Sequence, residues 1–321
     1  MAENYGLPYT GSKSRIAHWV IDNLPCGRVL IDAFAGGCSI THRALLSQKW
    51  QTVIANDING KYPQLFADAV RGKYRDEKRW ISREDFERLK AKDAFVACCW
   101  SFGNNLQGYM YSQAIEPYKR ALHYAIVLDD FEPMQELIPE VAQAVAHALH
   151  GVRNTHDRRI TAQNVIVKTL KRLTGDNYAH QIIQNNPLYR KILHSRKDAK
   201  GLQKLQSLQS LQILERLQSL ESLRVTSQSY DEIDIPPDAV VYCDPPYHAS
   251  DNRLYEGTAA AFDRGAFYDW CVRVSKTNPI FISEYSIEDD RFEIVAEKQK
   301  MTSMSPVKSF NVTERLYTVK K

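Results

Sequence analysis

Apolar residues along this chain gather in short runs that stop at an acid. Val29-Leu30-Ile31 ends at Asp32, Val53-Ile54-Ala55-Asn56 ends at Asp57, and Val240-Val241-Tyr242-Cys243 ends at Asp244. Short apolar runs closed by a turn read as buried strands of the kind that parallel sheets use. The first run continues into Ala33-Phe34-Ala35-Gly36-Gly37-Cys38-Ser39-Ile40, a glycine turn and a helix start, with Ser39 or Thr41 as candidate cap. Further strands are predicted at 223–226, 280–283 and 315–319. Strand-like alternation is scarce from Lys61 onward. Helices are predicted for the amphipathic segment carrying Ile16, Trp19, Val20 and Leu24, for 81–90 behind a Ser82-x-x-Asp85 cap, for the Ala-rich stretch 141–150, and around 267–275. The glycine-, amide- and aromatic-rich segment 100–109 reads as a loop.

One stretch obeys neither period. Leucine recurs at 202, 205, 208, 211, 214, 217, 220 and 223. A spacing of three drifts about 60° backwards around a helix at each step, so no fixed stripe forms. A coiled coil wants a period near 3.5. Residues 201–223 are therefore predicted to be a mostly helical, partly buried connector.

Composition is ordinary, at 44% hydrophobic and 25% charged, and 321 residues suit one large or two modest domains. No apolar run approaches the ~20 residues that span a bilayer, and no signal-peptide core opens the chain. Cys26, Cys38, Cys98, Cys99, Cys243 and Cys271 show no CxxC pair, which predicts reduced thiols, a cytoplasmic protein and no metal. The net charge of +4 is mild, but residues 151–200 hold eleven basic and three acidic side chains. Arg153, Arg158, Arg159, Lys171, Arg172, Arg190, Lys191, Arg196 and Lys197, interleaved with amides and tyrosines, are predicted to neutralise nucleic-acid phosphates.

The chemistry sits in three motifs. Asp244-Pro245-Pro246-Tyr247 places a carboxylate at the carboxyl edge of a sheet, stiffens the turn with two prolines and adds a flat ring. A planar amine held there can donate to Asp244 and to the carbonyl of Pro245, with Tyr247 stacked on its ring. The glycines at 36 and 37 let a ligand approach the backbone, and an acid closing the next strand, Asp57, suits ribose hydroxyls. No Walker Lys-Ser/Thr pair follows the glycines and the pattern is not GxGxxG, so neither a phosphate cradle nor a dinucleotide site is expected. The third motif is Tyr9-Thr10-Gly11-Ser12-Lys13.

Together these motifs resemble the Dam-type family of S-adenosylmethionine-dependent DNA adenine-N6 methyltransferases, in the motif order of its alpha group. The resemblance implies an α/β fold, a Rossmann-like class I methyltransferase sheet with an inserted, mainly helical target-recognition domain. It implies a cofactor site at Tyr9, Lys13, Asp32, Phe34, Gly36, Asp57 and Asp244, and a catalytic pocket at Asp244, Pro245, Pro246 and Tyr247. Cys38 stands where the family usually has its last glycine, a role Gly37 is expected to take over, and Glu284 follows Ser283 where the family has Asn. The implied domains are 1–60 with 224–321 for catalysis, 61–200 for DNA and 201–223 as connector. The implied partner is double-stranded DNA, with a cognate restriction endonuclease as functional partner, a monomeric state and no membrane. Alternatives are a methyltransferase of the same fold acting on RNA or a protein amide, and a non-catalytic DNA-binding relative.

Overall fold

A computed structural model describes residues 5–9, 11–174, 222–246, 262–305 and 308–321. Arg190, Lys191, Arg196, Lys197, Tyr247 and nearly all of the leucine repeat lie outside these residues. Among the described residues the α-helices are α1 (Ala17–Asn23), α2 (Ser39–Ser47), α3 (Lys61–Val70), α4 (Arg83–Leu89), α5 (Ala94–Cys99), α6 (Glu116–His123), α7 (Glu132–Leu137), α8 (Pro139–Leu149), α9 (Thr155–Thr174) and α10 (Arg264–Val274). The chain parts into two compact units, one of Met1–Lys73 with Leu211–Lys321 and one of Tyr74–Ser210.

The first unit is built on a mixed seven-stranded sheet. Its strands are β1 (Gly27–Asp32), β2 (Trp50–Asn56), β3 (Leu223–Thr226), β4 (Val240–Cys243), β5 (Ile280–Glu284), β6 (Phe292–Ser305) and β7 (Lys308–Val319), ordered β3-β2-β1-β4-β5-β7-β6. β3, β2, β1, β4 and β5 run parallel, and β7 and β6 follow antiparallel. This is the sheet expected of a Rossmann-like methyltransferase. The parallel strands are apolar because both faces are covered: Ile31, Val241, Cys243 and Ile282 are buried with Phe267 and Trp270 of α10. Strand order reverses beside β1, and the carboxyl ends at such a switch point are where open α/β sheets bind ligands.

Two differences from the sequence reading have physical causes. β6 was not predicted, and β7 begins at Lys308 rather than at 315. β6 is the outer strand of a hairpin at the sheet edge, and Glu293, Ile294 and Val295 are all exposed. Its apolar residues Ile294, Val295 and Ala296 are consecutive rather than alternating, and charged and polar residues follow, so no period of two marks the strand. In addition, α2 is not capped by Ser39 or Thr41. Its N-cap position is Cys38, without a side-chain cap. The Asp32 carboxylate accepts from the Thr41 N–H at 3.1 Å and from its hydroxyl at 2.7 Å, so the capping acid comes from the preceding strand.

The second unit is helical among its described residues. Ser82 caps α4 as predicted, accepting from the Asp85 N–H at 3.1 Å. A core of Leu122, Ile126, Met134, Val145, Leu149, Ile166 and Leu170 joins α6 to α9. The loop following α5 is pinned by a bridge between Ser101 and Tyr109.

Candidate active site

Three acids reach the carboxyl edge of the sheet side by side. Asp32 ends β1 in register with Tyr242 of β4, and Asp244 follows two residues later. The Ala33 N–H donates to the Tyr242 carbonyl at 2.9 Å and the Ala35 N–H to the Asn56 carbonyl at 2.8 Å, which strings the glycine turn across the ends of β4 and β2. The Gly36 N–H donates to Asp57 at 2.8 Å, and the Asn59 N–H donates to its other oxygen at 2.8 Å. Burial pushes the Asp57 carboxyl up, against these two N–H groups, which pull it down. The sequence reading missed Asn56 as a fastener. Its buried amide donates to the carbonyls of Ala33 and Gln228 and accepts from the Thr226 hydroxyl at 2.8 Å.

The first residues of the chain close this turn from outside. The Leu7 N–H donates to the Gly37 carbonyl at 2.7 Å, the Ser39 hydroxyl to the Tyr5 carbonyl at 3.1 Å, and the Gly6 N–H to His42 Nδ1 at 2.9 Å. A Cβ on Gly36 would sit 2.8 Å from the Tyr9 ring, and one on Gly37 only 2.5 Å from the Tyr9 Cβ. The two glycines thus make room for Tyr9, which brings a candidate cofactor contact onto the turn itself. Cys38 takes a left-handed conformation, φ 59° and ψ 33°. That is the backbone a glycine accepts freely, so the role expected of Gly37 falls on Cys38 itself.

Lys13 is buried and lies between two carboxylates. Its Nζ donates to Asp244 Oδ1 at 2.7 Å and lies 3.9 Å from Glu314 Oε1 on β7. Burial works to lower its pKa, but the carboxylates of Asp244 and Glu314 outweigh it and raise the value. Asp32 is 1% exposed, no described donor reaches its Oδ1, and burial pushes its carboxyl up to about 7. Phe34 is half-buried against Tyr230 at 5.8 Å and Phe267 at 5.7 Å. Ile58, 62% exposed beside Asp57, was not singled out in the sequence.

Two further groups brace the turn that carries Asp244 and Pro246. Arg264, at the start of α10, donates to the Pro246 carbonyl at 2.6 Å and pairs with the buried Glu284 at 3.2 Å. Glu284 also accepts from the Tyr285 N–H at 2.9 Å. Behind them the hydroxyls of Tyr242 and Ser283 bond at 2.8 Å. Cys243 is fully buried, and burial pushes its thiol well up, away from thiolate chemistry.

The basic residues of the second unit divide. Arg153, Lys171 and Arg172 are exposed. Arg158 and Arg159 are buried, at 8% and 9%, so the expectation that they offer charge to a partner is corrected. Arg158 donates to the carbonyls of Ala125 at 2.7 Å, Ile126 at 2.7 Å and Val152 at 2.9 Å, and to the Asp129 carboxylate at 2.5 Å. Ala125 and Ile126 belong to a π turn, Tyr124–Leu128, whose carbonyls lack the ordinary helical donors. Among the described residues no group of three or more His, Cys, Asp or Glu is placed to hold a metal, and no helix is long and apolar enough to cross a membrane.

A mixed α/β sheet with acids and a glycine turn converging at its switch point is consistent with a Rossmann-like methyltransferase fold. Residues 9–127 match the family model of D12 class N6 adenine-specific DNA methyltransferases. The match is a similarity over part of the chain, and it agrees with the Dam-type resemblance of the motifs. No curated protein matches the chain.

Proposed function

We propose that the protein moves a methyl group from S-adenosylmethionine to the exocyclic N6 of an adenine extruded from double-stranded DNA. The observation that carries this reading is the placement of Asp244 at the switch point, beside the glycine turn and in the grip of Lys13. The residues present fit the cofactor: Oδ1 of Asp32, which no described donor reaches, suits an ammonium, Asp57 suits ribose hydroxyls, and Ile58 and Phe34 offer apolar cover for a ring. When bound, the cofactor supplies a methyl group activated by a sulfonium.

The rest is work for the chain. An adenine inside a duplex cannot reach Asp244, so it is flipped out at a cost of a few kcal/mol. Asp244 and the Pro245 carbonyl accept the two amine hydrogens and turn the nitrogen lone pair out of the ring system. Tyr247 stacks on the base. Lys13 fixes Oδ1 of the acid, and Arg264 fixes the carbonyl of Pro246. Direct transfer to this nitrogen would release the proton that Asp244 already accepts as a hydrogen bond, so the chain's own contribution is positioning and electrostatics. The exposed basic residues Arg153, Lys171 and Arg172 serve the DNA. A monomer in the cytoplasm, paired with a cognate endonuclease, completes the reading.

The test is methyl transfer from labelled cofactor to duplex DNA, RNA and protein in parallel. Asp244→Ala is expected to abolish transfer to DNA while DNA binding persists. Full activity in that variant, or transfer to RNA or protein in place of DNA, overturns the proposal.

A further inference from the structure

The β6–β7 hairpin is longer than the sheet needs. β7 pairs with β5 only through Arg315, Leu316 and Tyr317, where Arg315 faces Glu284, the last residue of β5. The pairing of β7 with β6 continues through Lys298↔Glu314, Lys300↔Val312, Thr302↔Phe310 and Ser305↔Lys308. Because β7 is antiparallel to β5, these earlier residues run on beyond the carboxyl end of the parallel strands. At ~3.3 Å per residue, the ribbon extends about 23 Å past Glu284.

Its root is fixed at the candidate active site. Glu314 of β7 is fully buried and lies 3.9 Å from Lys13, which grips Asp244. The Arg315 guanidinium pairs with Glu297 of β6 at 2.6 Å and donates to the Tyr285 carbonyl. Beyond this anchor the composition changes. Residues 298–313 contain Lys298, Lys300 and Lys308 and no acid; of the other thirteen, seven are Gln, Ser, Thr or Asn and six are apolar.

We propose that this ribbon is a second DNA-binding element, seated on the phosphate backbone next to the extruded adenine. The inference rests on the DNA reading above. A duplex that delivers a base to Asp244 must lie along the edge from which the ribbon rises. An acid-free ribbon with three lysines complements a polyanion there, and lysine contacts to phosphate release counterions without reading sequence.

The experiment compares wild type with the triple variants Lys298→Gln/Lys300→Gln/Lys308→Gln and Lys298→Arg/Lys300→Arg/Lys308→Arg. Binding to a fluorescein-labelled random-sequence duplex is measured by anisotropy across a salt series, and binding of S-adenosylhomocysteine by calorimetry. The Gln variant is expected to bind the cofactor product as wild type does, and to bind DNA more weakly. Its slope of log K against log salt should fall by up to about 3, near 0.9 per lost phosphate contact. The Arg variant should keep the wild-type slope. If wild type methylates DNA and the Gln variant keeps both slope and affinity, the ribbon inference is overturned and the DNA reading stands. If wild type neither binds nor methylates the duplex, the DNA reading itself falls.

Discussion

The guanidinium of Arg264 donates to the carbonyl of Pro246 at 2.6 Å. It thereby ties together the two ends of the chain that flank residues 247–263, while Glu284 holds its other side at 3.2 Å. Burial raises the Glu284 pKa and the Arg264 charge works against that rise. Arg264→Met should therefore loosen the turn that presents Asp244 and leave a buried acid without its cation. A misplacement near 1 Å costs roughly 100-fold in rate. We expect kcat for methyl transfer to fall between about tenfold and 100-fold with KM for DNA little changed. Adding Glu284→Gln should recover part of the lost thermal stability. Unchanged kcat in Arg264→Met would remove Arg264 from the positioning of the turn.

Asp32 makes stability depend on pH. Burial lifts its carboxyl from the ordinary 3.8 to about 7 in the folded chain. Below pH 4 both folded and unfolded chains hold the proton. Between pH 4 and 7 only the folded chain holds it, so stability declines as pH rises through this window. The full effect is on the order of 4 kcal/mol. Asp32→Asn should unfold at a higher temperature than wild type at pH 8, with the gap closing toward pH 4. Thermal melts across that range decide the matter, and a gap that is constant with pH contradicts the assignment.

Gly6 has no room for a side chain. Its φ is +72°, and a Cβ there would lie 2.4 Å from the Gly37 carbonyl oxygen and 2.7 Å from the Ser39 nitrogen, both main-chain atoms. Gly6→Ala is expected to cost on the order of 1–3 kcal/mol of stability and to weaken cofactor binding by deforming the glycine turn. Differential scanning calorimetry and a titration with S-adenosylhomocysteine read the two effects separately.

Arg158 should act on folding rather than on DNA. Arg158→Gln removes donors from the carbonyls of Ala125, Ile126 and Val152, and buried acceptors left unsatisfied cost about 1–3 kcal/mol each. The exposed Arg153 offers the contrast, since Arg153→Gln should leave the melting temperature within a degree or two. Salt-dependent DNA affinity measured on both variants would separate the roles: a lowered salt slope is expected for Arg153→Gln, and lowered stability for Arg158→Gln.

Much of the catalytic sheet was legible in the sequence because its strands are buried on both faces. Runs such as Val240-Val241-Tyr242-Cys243 have no other plausible home. The candidate site acids stood out for the same reason, since they end such runs. Their pairing was not. Lys13 and Asp244 stand 231 residues apart, and nothing local says that one grips the other. Nor can composition say which side of α9 an arginine occupies, and Arg158 turned inward because a π turn left carbonyls in need of donors. Arg264 has no motif; only the fold brings it to Pro246.

The order of the chain sets the order in which this site can come into being. β1 leaves the ribosome before β4, and Leu30 must wait for Val240 before that side of the strand has a neighbour. At cellular synthesis rates the wait is on the order of 10–40 s. Throughout it a bare, strongly apolar edge invites pairing with another nascent copy. Newly made protein should therefore lean on molecular chaperones, and expression at reduced temperature should raise the soluble yield.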